Sequence, residues 1–63
     1  MTKSFNEIAA TYAPYHTMPA FAEGTKAYMD RNYNNPYPRD GVKAQAWDRG
    51  LECAMRFTRQ HGG

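Results

Sequence analysis

Five cations and one tyrosine are the side chains of this chain best suited to chemistry with a partner. From Arg39 onward the basic residues are Arg39, Lys43, Arg49, Arg56 and Arg59, opposed by Asp40, Asp48 and Glu52. Guanidinium and ammonium groups neutralise phosphates, and that neutralisation supplies much of a protein's affinity for nucleic acid. Tyr37 stands two residues before the first of these cations, between Pro36 and Pro38 in "NNPYPRDG". An aromatic ring at that bend would be presented to a partner. Against this, eight Lys/Arg and six Asp/Glu leave a net charge of only +2. The competing reading is a solvated helix face, where Glu52 and Arg56 attract four residues apart while Asp48 and Glu52 repel. The weakness of the charge excess favours that solvated face.

Bond-making chemistry has less to work with. Cys53 is the single cysteine, and His16 and His61 lie far apart with no zinc-finger spacing to it. The sequence has no phosphate-cradling glycine loop and no suggestively spaced carboxylate pair. A phosphotransferase would need a nucleotide pocket and a metal site, and so short a chain hardly encloses a drug-sized cavity. The expectation is therefore no enzyme, no metal and no cofactor, with His16 and His61 as exposed bystanders. One cysteine excludes an internal disulfide and suits a reducing compartment. The opening "TKSFNEIAATYAPYH" lacks a charged segment leading into an apolar run, so no signal peptide is expected. No window approaches the ~20 apolar residues of a membrane helix. A cytoplasmic protein without a membrane partner is the resulting expectation.

The elements that would position these residues are helical. With 63 residues the chain makes one small domain, and such a domain buries only about 60% of its unfolded surface. "SFNE" is a capping box, followed by Phe5, Ile8, Ala9 and Tyr12 on one face, which predicts a helix over 5–12 stopped by Pro14. Thr17 as N-cap and Pro19 in the first turn open a second helix over 18–33, with Ala20, Phe21, Gly24, Ala27, Tyr28 and Arg31 on its stripe. An elbow over 34–40 follows, stiffened because Asn35 and Tyr37 each precede a proline. Asp40 is the expected N-cap of a third helix over 41–60. Its face reads Val42, Ala46, Trp47, Gly50, Leu51, Ala54, Phe57 and Thr58, with Gly62-Gly63 as a loose stop. The fold class expected is all-α: a small helical hairpin joined by a Pro-rich elbow, with a short additional N-terminal helix.

Two helix-packing sets mark where the longer helices should touch: Ala20, Gly24 and Ala27 on one, Trp47, Gly50 and Ala54 on the other. A glycine inside a helix costs about 1 kcal/mol relative to alanine, so its presence points to close approach of another helix. Read as A-x-x-x-G-x-x-A, then Pro36-Tyr37, then W-x-x-G-x-x-x-A, residues 20–55 resemble the ribosome modulation factor family. That grouping also includes small ciprofloxacin-modifying proteins and short bacterial and phage proteins. The resemblance implies two helices joined by a bent linker. For the best-known member it implies binding to the small ribosomal subunit near the messenger exit region, pairing ribosomes into inactive dimers. This chain departs from that pattern in its near-neutral opening, where the factor has a Lys/Arg run. It also has Glu52 in place of an arginine and Leu51 in place of a second tryptophan.

Trp47, set among Gly50, Leu51 and Ala54, reads as core rather than as a base-stacking platform. Of the five tyrosines, Tyr28 reads as core and Tyr33 and Tyr37 as surface candidates. Two partners follow. The first is the ribosome or its RNA, with Arg39, Lys43, Arg49, Arg56 and Arg59 on phosphates and Tyr37 at the bend. The alternative is a host protein bound by a small helical module, as a phage-encoded protein would do. Self-association into a homodimer is a further way for so small a hairpin to cover apolar surface.

Overall fold

The computed structural model describes residues 3–61, so the Gly62-Gly63 stop lies outside the described residues. The chain is helical: α1 (Phe5–Ala10), a 3₁₀ turn (Tyr15–Thr17), α2 (Pro19–Met29) and α3 (Val42–His61). Two helices joined by a Pro-rich elbow, with a short N-terminal helix added, are present as the sequence predicts.

The capping box forms in full. The Glu7 amide donates to Ser4 Oγ at 3.3 Å and the Ser4 amide donates to Glu7 Oε1 at 3.1 Å. The Ser4 amide, then the Ser4 hydroxyl, and last the charge of Lys3 hold the Glu7 carboxyl below its ordinary pKa. A depressed acid stabilises the fold above its unfolded pKa and loses that effect as pH falls through the folded value. Acidification through the carboxylate range is therefore expected to fray α1 first, seen as early loss of amide protection at Ile8 and Ala9. α1 ends at Ala10, earlier than the predicted 12, because its bonds tighten ahead of Pro14. The Tyr12 and Ala13 amides donate to Ala9 and Ala10, three residues back.

α2 starts with Pro19 in its first turn, as predicted, but Met18 rather than Thr17 precedes it and no side chain caps it. It ends at Met29, well short of 33, in a Schellman motif. The Asn32 amide donates to Ala27 O at 2.9 Å and the Arg31 amide to Tyr28 O at 3.1 Å. Arg31 sits in the left-handed region at φ 57, exposed and off the apolar stripe where the sequence reading placed it. The elbow accordingly spans 30–41. At its far end the Gln45 amide donates to Gly41 O, so Gly41 rather than Asp40 stands immediately before α3.

α2 and α3 meet backbone to backbone at the two predicted glycines. A Cβ on Gly24 would overlap the Trp47 carbonyl oxygen and lie 2.9 Å from the Leu51 amide nitrogen. One on Gly50 would overlap the Phe21 carbonyl oxygen. Contacts advance together along the two helices: Phe21 lies against Gly50, while Thr25 and Met29 share a groove with Ala54 and Thr58. α2 therefore follows the direction of α3 instead of folding back on it as the expected hairpin would, and the elbow runs back along them as a strap. Tyr33 lies by Thr58, Asn35 by Asp48 and Ala44, and Tyr37 by Glu23.

α3 is buried on two sides. Trp47, Gly50 and Ala54 belong to the predicted face, whereas Ala44 and Cys53 are buried beyond it and Val42 is 57% exposed. The reason is that the N-terminal segment crosses one flank of α3 while the elbow lies over Ala44 on another. Phe5 packs edge-on against Phe57 at 5.6 Å between ring centroids, and the Tyr15 hydroxyl is 2.6 Å from Gln45 Oε1. The Lys3 amide donates to Gln60 Oε1 at 3.2 Å. His61 is exposed as expected, yet it is engaged: its ring stacks on Phe57 and Nε2 lies 2.8 Å from Lys3 O. Cys53 has no exposed surface, and burial raises its thiol pKa. A thiol reagent should leave native protein unmodified and label Cys53 only as denaturant unfolds the chain. Rapid labelling of the native protein would contradict this core.

Candidate binding surface around the elbow

The strap is pinned by Asn35. Its Oδ1 accepts from the Tyr37 amide at 3.0 Å, and its Nδ2 donates to Ala44 O at 2.9 Å and to Asp48 Oδ1 at 3.0 Å. An asparagine before proline is suited to such a turn because its side chain can bond its own backbone two residues on. That local signal is present in "NNPYP", but the two bonds to α3 are long-range and leave none. Substituting Asn35 with alanine removes all three bonds, and with them both ties from its side chain to α3. The expected loss is about 2 kcal/mol of stability, read as a lowered thermal midpoint.

Tyr37 is less free than a surface reading of the elbow would have it. It is half-buried, and its hydroxyl donates to Glu23 Oε1 at 2.6 Å. That bond, then burial and the Glu23 charge, push the phenol above its ordinary pKa. Lys43 Nζ lies 6.0 Å from the ring centroid, the outer reach of a cation–π contact. Tyr37 therefore ties the strap to α2 and carries Lys43 on its ring.

Beside this anchor opens a cleft of ≈ 590 Å³ lined by Tyr33, Asn34, Asn35, Tyr37, Arg39 and Asp48. Tyr33 is 56% exposed and Arg39 is exposed. Tyr33 also walls a second groove, with Arg31, Met29 and Thr58 on its other side. One exposed aromatic thus borders two grooves, one lined by Arg39 and the other by Arg31.

The predicted cations do not form one patch. At about 100° per residue, Arg49 and Arg56 fall within about 20° of each other on α3, and Lys43 lies about 120° from Arg49. Arg49, Arg56 and Arg59 share the exposed outer side with Glu52, and Asp48 stands at its edge, where it also lines the elbow cleft. Arg56 lies 5.6 Å from the centroid of the Tyr12 ring, so part of its role is packing. Arg39 is in the elbow, and Lys43, in the first turn of α3, lies by the ring of the elbow's Tyr37. Trp47, at 3% exposed, is closed to any base. Of the packing set, Ala20, Gly24, Trp47, Gly50 and Ala54 are buried and Ala27 is half-buried.

Comparison with protein-family models, curated proteins and solved structures finds no match for this chain. Among the described residues, no helix is long and apolar enough to cross a membrane.

Arg31 holds a position that glycine fills best, because a Cβ in the left-handed region crowds the following carbonyl. Arg31→Gly is expected to raise stability by about 0.5 kcal/mol, a gain of about 2–4 °C in the thermal midpoint. A lowered midpoint would show that the arginine side chain contributes more than its backbone strain removes.

Proposed function

We propose that this chain is a small non-catalytic binding protein that docks on ribosomal RNA through the elbow and restrains translation. The observation that carries the reading is the anchored strap, which holds exposed Tyr33 beside Arg39 in an open polar cleft. Single-stranded RNA is gripped by this combination, aromatic faces for unstacked bases and cations for the backbone. The resemblance of residues 20–55 to ribosome modulation factors supports the same partner. Bound to the small subunit, a domain of this size acts by occupancy: it blocks a site or bridges two particles. Sedimentation of lysate containing tagged protein should place it in ribosomal fractions, with release between about 50 and 200 mM salt. Protein that stays at the top of a low-salt gradient would refute the reading.

A second reading is a module that binds a host protein. An apolar groove of ≈ 270 Å³ lined by Phe5, Met29, Ala54 and Phe57, with Met29 75% exposed, favours it. A nuclease-resistant, stoichiometric protein partner in a pull-down would select this reading over the first.

A further inference from the structure

We infer that the elbow cleft is a pocket for one unpaired guanine base of an RNA strand, with Asp48 reading its Watson–Crick edge. The inference rests on the RNA-docking reading and adds a base preference to it. The cleft presents three kinds of group. Tyr33, exposed and at one wall, offers a stacking face. Arg39, at the same cleft, can only donate. Asp48 can only accept, and its position is set because Oδ1 takes a bond from Asn35 Nδ2 at 3.0 Å. An ionised carboxylate has about four lone-pair sites, so one bond from Asn35 leaves capacity for two parallel donors.

Among the four bases, guanine alone carries two adjacent donors, N1–H and N2–H, on its Watson–Crick edge, and a carboxylate accepts both. Arg39 at the same cleft then meets the strand's phosphate rather than the base. Adenine and cytosine each offer a carboxylate one amino donor beside a ring acceptor, which places a lone pair against the second oxygen. Uracil offers one imide donor between two carbonyls. Asp48 is also the reason the cleft discriminates rather than merely attracts RNA: a carboxylate repels phosphate and is tolerated only where a base edge meets it. The strand would continue past Tyr33 into the adjoining groove, where Arg31 awaits the next phosphate. This gives Arg31 a reason to occupy a backbone position that favours glycine.

The test is fluorescence anisotropy of the full chain with labelled uridine nonamers carrying one central G, A or C. The expected result is about tenfold tighter binding of the G oligomer, within what one bidentate pair discriminates. Asp48→Asn should erase the preference while keeping affinity for the A and C oligomers. Tyr33→Ala should weaken all three, and circular dichroism confirms that each variant is folded. Equal affinity of native protein for the three oligomers overturns the guanine assignment and leaves the RNA reading intact. Failure to bind any of them at low salt overturns both.

Discussion

Gly50→Ala should lower the thermal midpoint by about 8–16 °C and bring the domain closer to unfolding. Two effects compete at this position. Helix propensity alone favours alanine over glycine by about 1 kcal/mol. The added methyl, however, would overlap the Phe21 carbonyl oxygen and lie 2.8 Å from the Phe21 carbonyl carbon. Both are backbone atoms of a neighbouring helix, so no rotamer change relieves the clash and α2 must move away from α3. Overpacking of this kind costs about 1–3 kcal/mol, and more where the backbone must shift. A domain of this length has about 3–9 kcal/mol in total at typical stability per residue. For domains this small each kcal/mol is about 4–8 °C. Gly24→Ala should behave alike, since its methyl meets Trp47 and Leu51 backbone atoms. The two changes should not add, because either one opens the same contact. Gly41→Ala is the internal control: its methyl would meet Pro38 O at 3.4 Å, an ordinary contact, and stability should change by no more than about 0.5 kcal/mol. Thermal melts of the three variants by circular dichroism test this together. A Gly50→Ala midpoint at or above that of the native chain would show that the helices do not touch there.

That contact was legible because its signal is local and periodic. Gly24 and Gly50 stand at helical spacing from Ala20 and Ala54, in stretches where glycine has no other purpose. The Ser4–Glu7 capping box was legible for the same reason. What escaped the sequence depends on distant partners. Cys53 and Ala44 are buried because α1 and the strap close over flanks of α3 that a single apolar stripe leaves open. Arg31 ends α2 in a Schellman motif without the glycine that usually announces one, so Pro36 looked like the stop. Tyr37 reads as exposed in a proline-rich bend, and only its bond to Glu23, fourteen residues away, makes it an anchor. The cations looked like one set because the sequence orders them along a line. Helical geometry then divides Lys43 from Arg49 and Arg56, and Arg39 lies in the elbow outside the helix.

That division produces the second large effect. If the elbow meets RNA, the cations that matter are Arg39, Lys43 and Arg31. Three phosphate contacts on single-stranded RNA give a slope of about −2 for log affinity against log salt. Between about 50 and 200 mM salt that is a loss of about 20-fold. Docking through all five predicted cations would steepen the slope to about −3.5. Arg39→Glu removes one contact and places a second carboxylate in a cleft that already holds Asp48. Its expected cost is tenfold or more in affinity, beyond the loss of one phosphate contact, because the new charge repels the strand. Arg49→Glu changes the net charge by the same amount, on a face where Asp48 and Glu52 already interleave with the arginines. Affinity there should fall by less than about threefold.

Co-pelleting of purified ribosomes with these two charge reversals tests the elbow as the docking surface most directly. Loss of pelleting for Arg39→Glu with retention for Arg49→Glu is the expected result. Retention for Arg39→Glu, or equal loss for both, would contradict it.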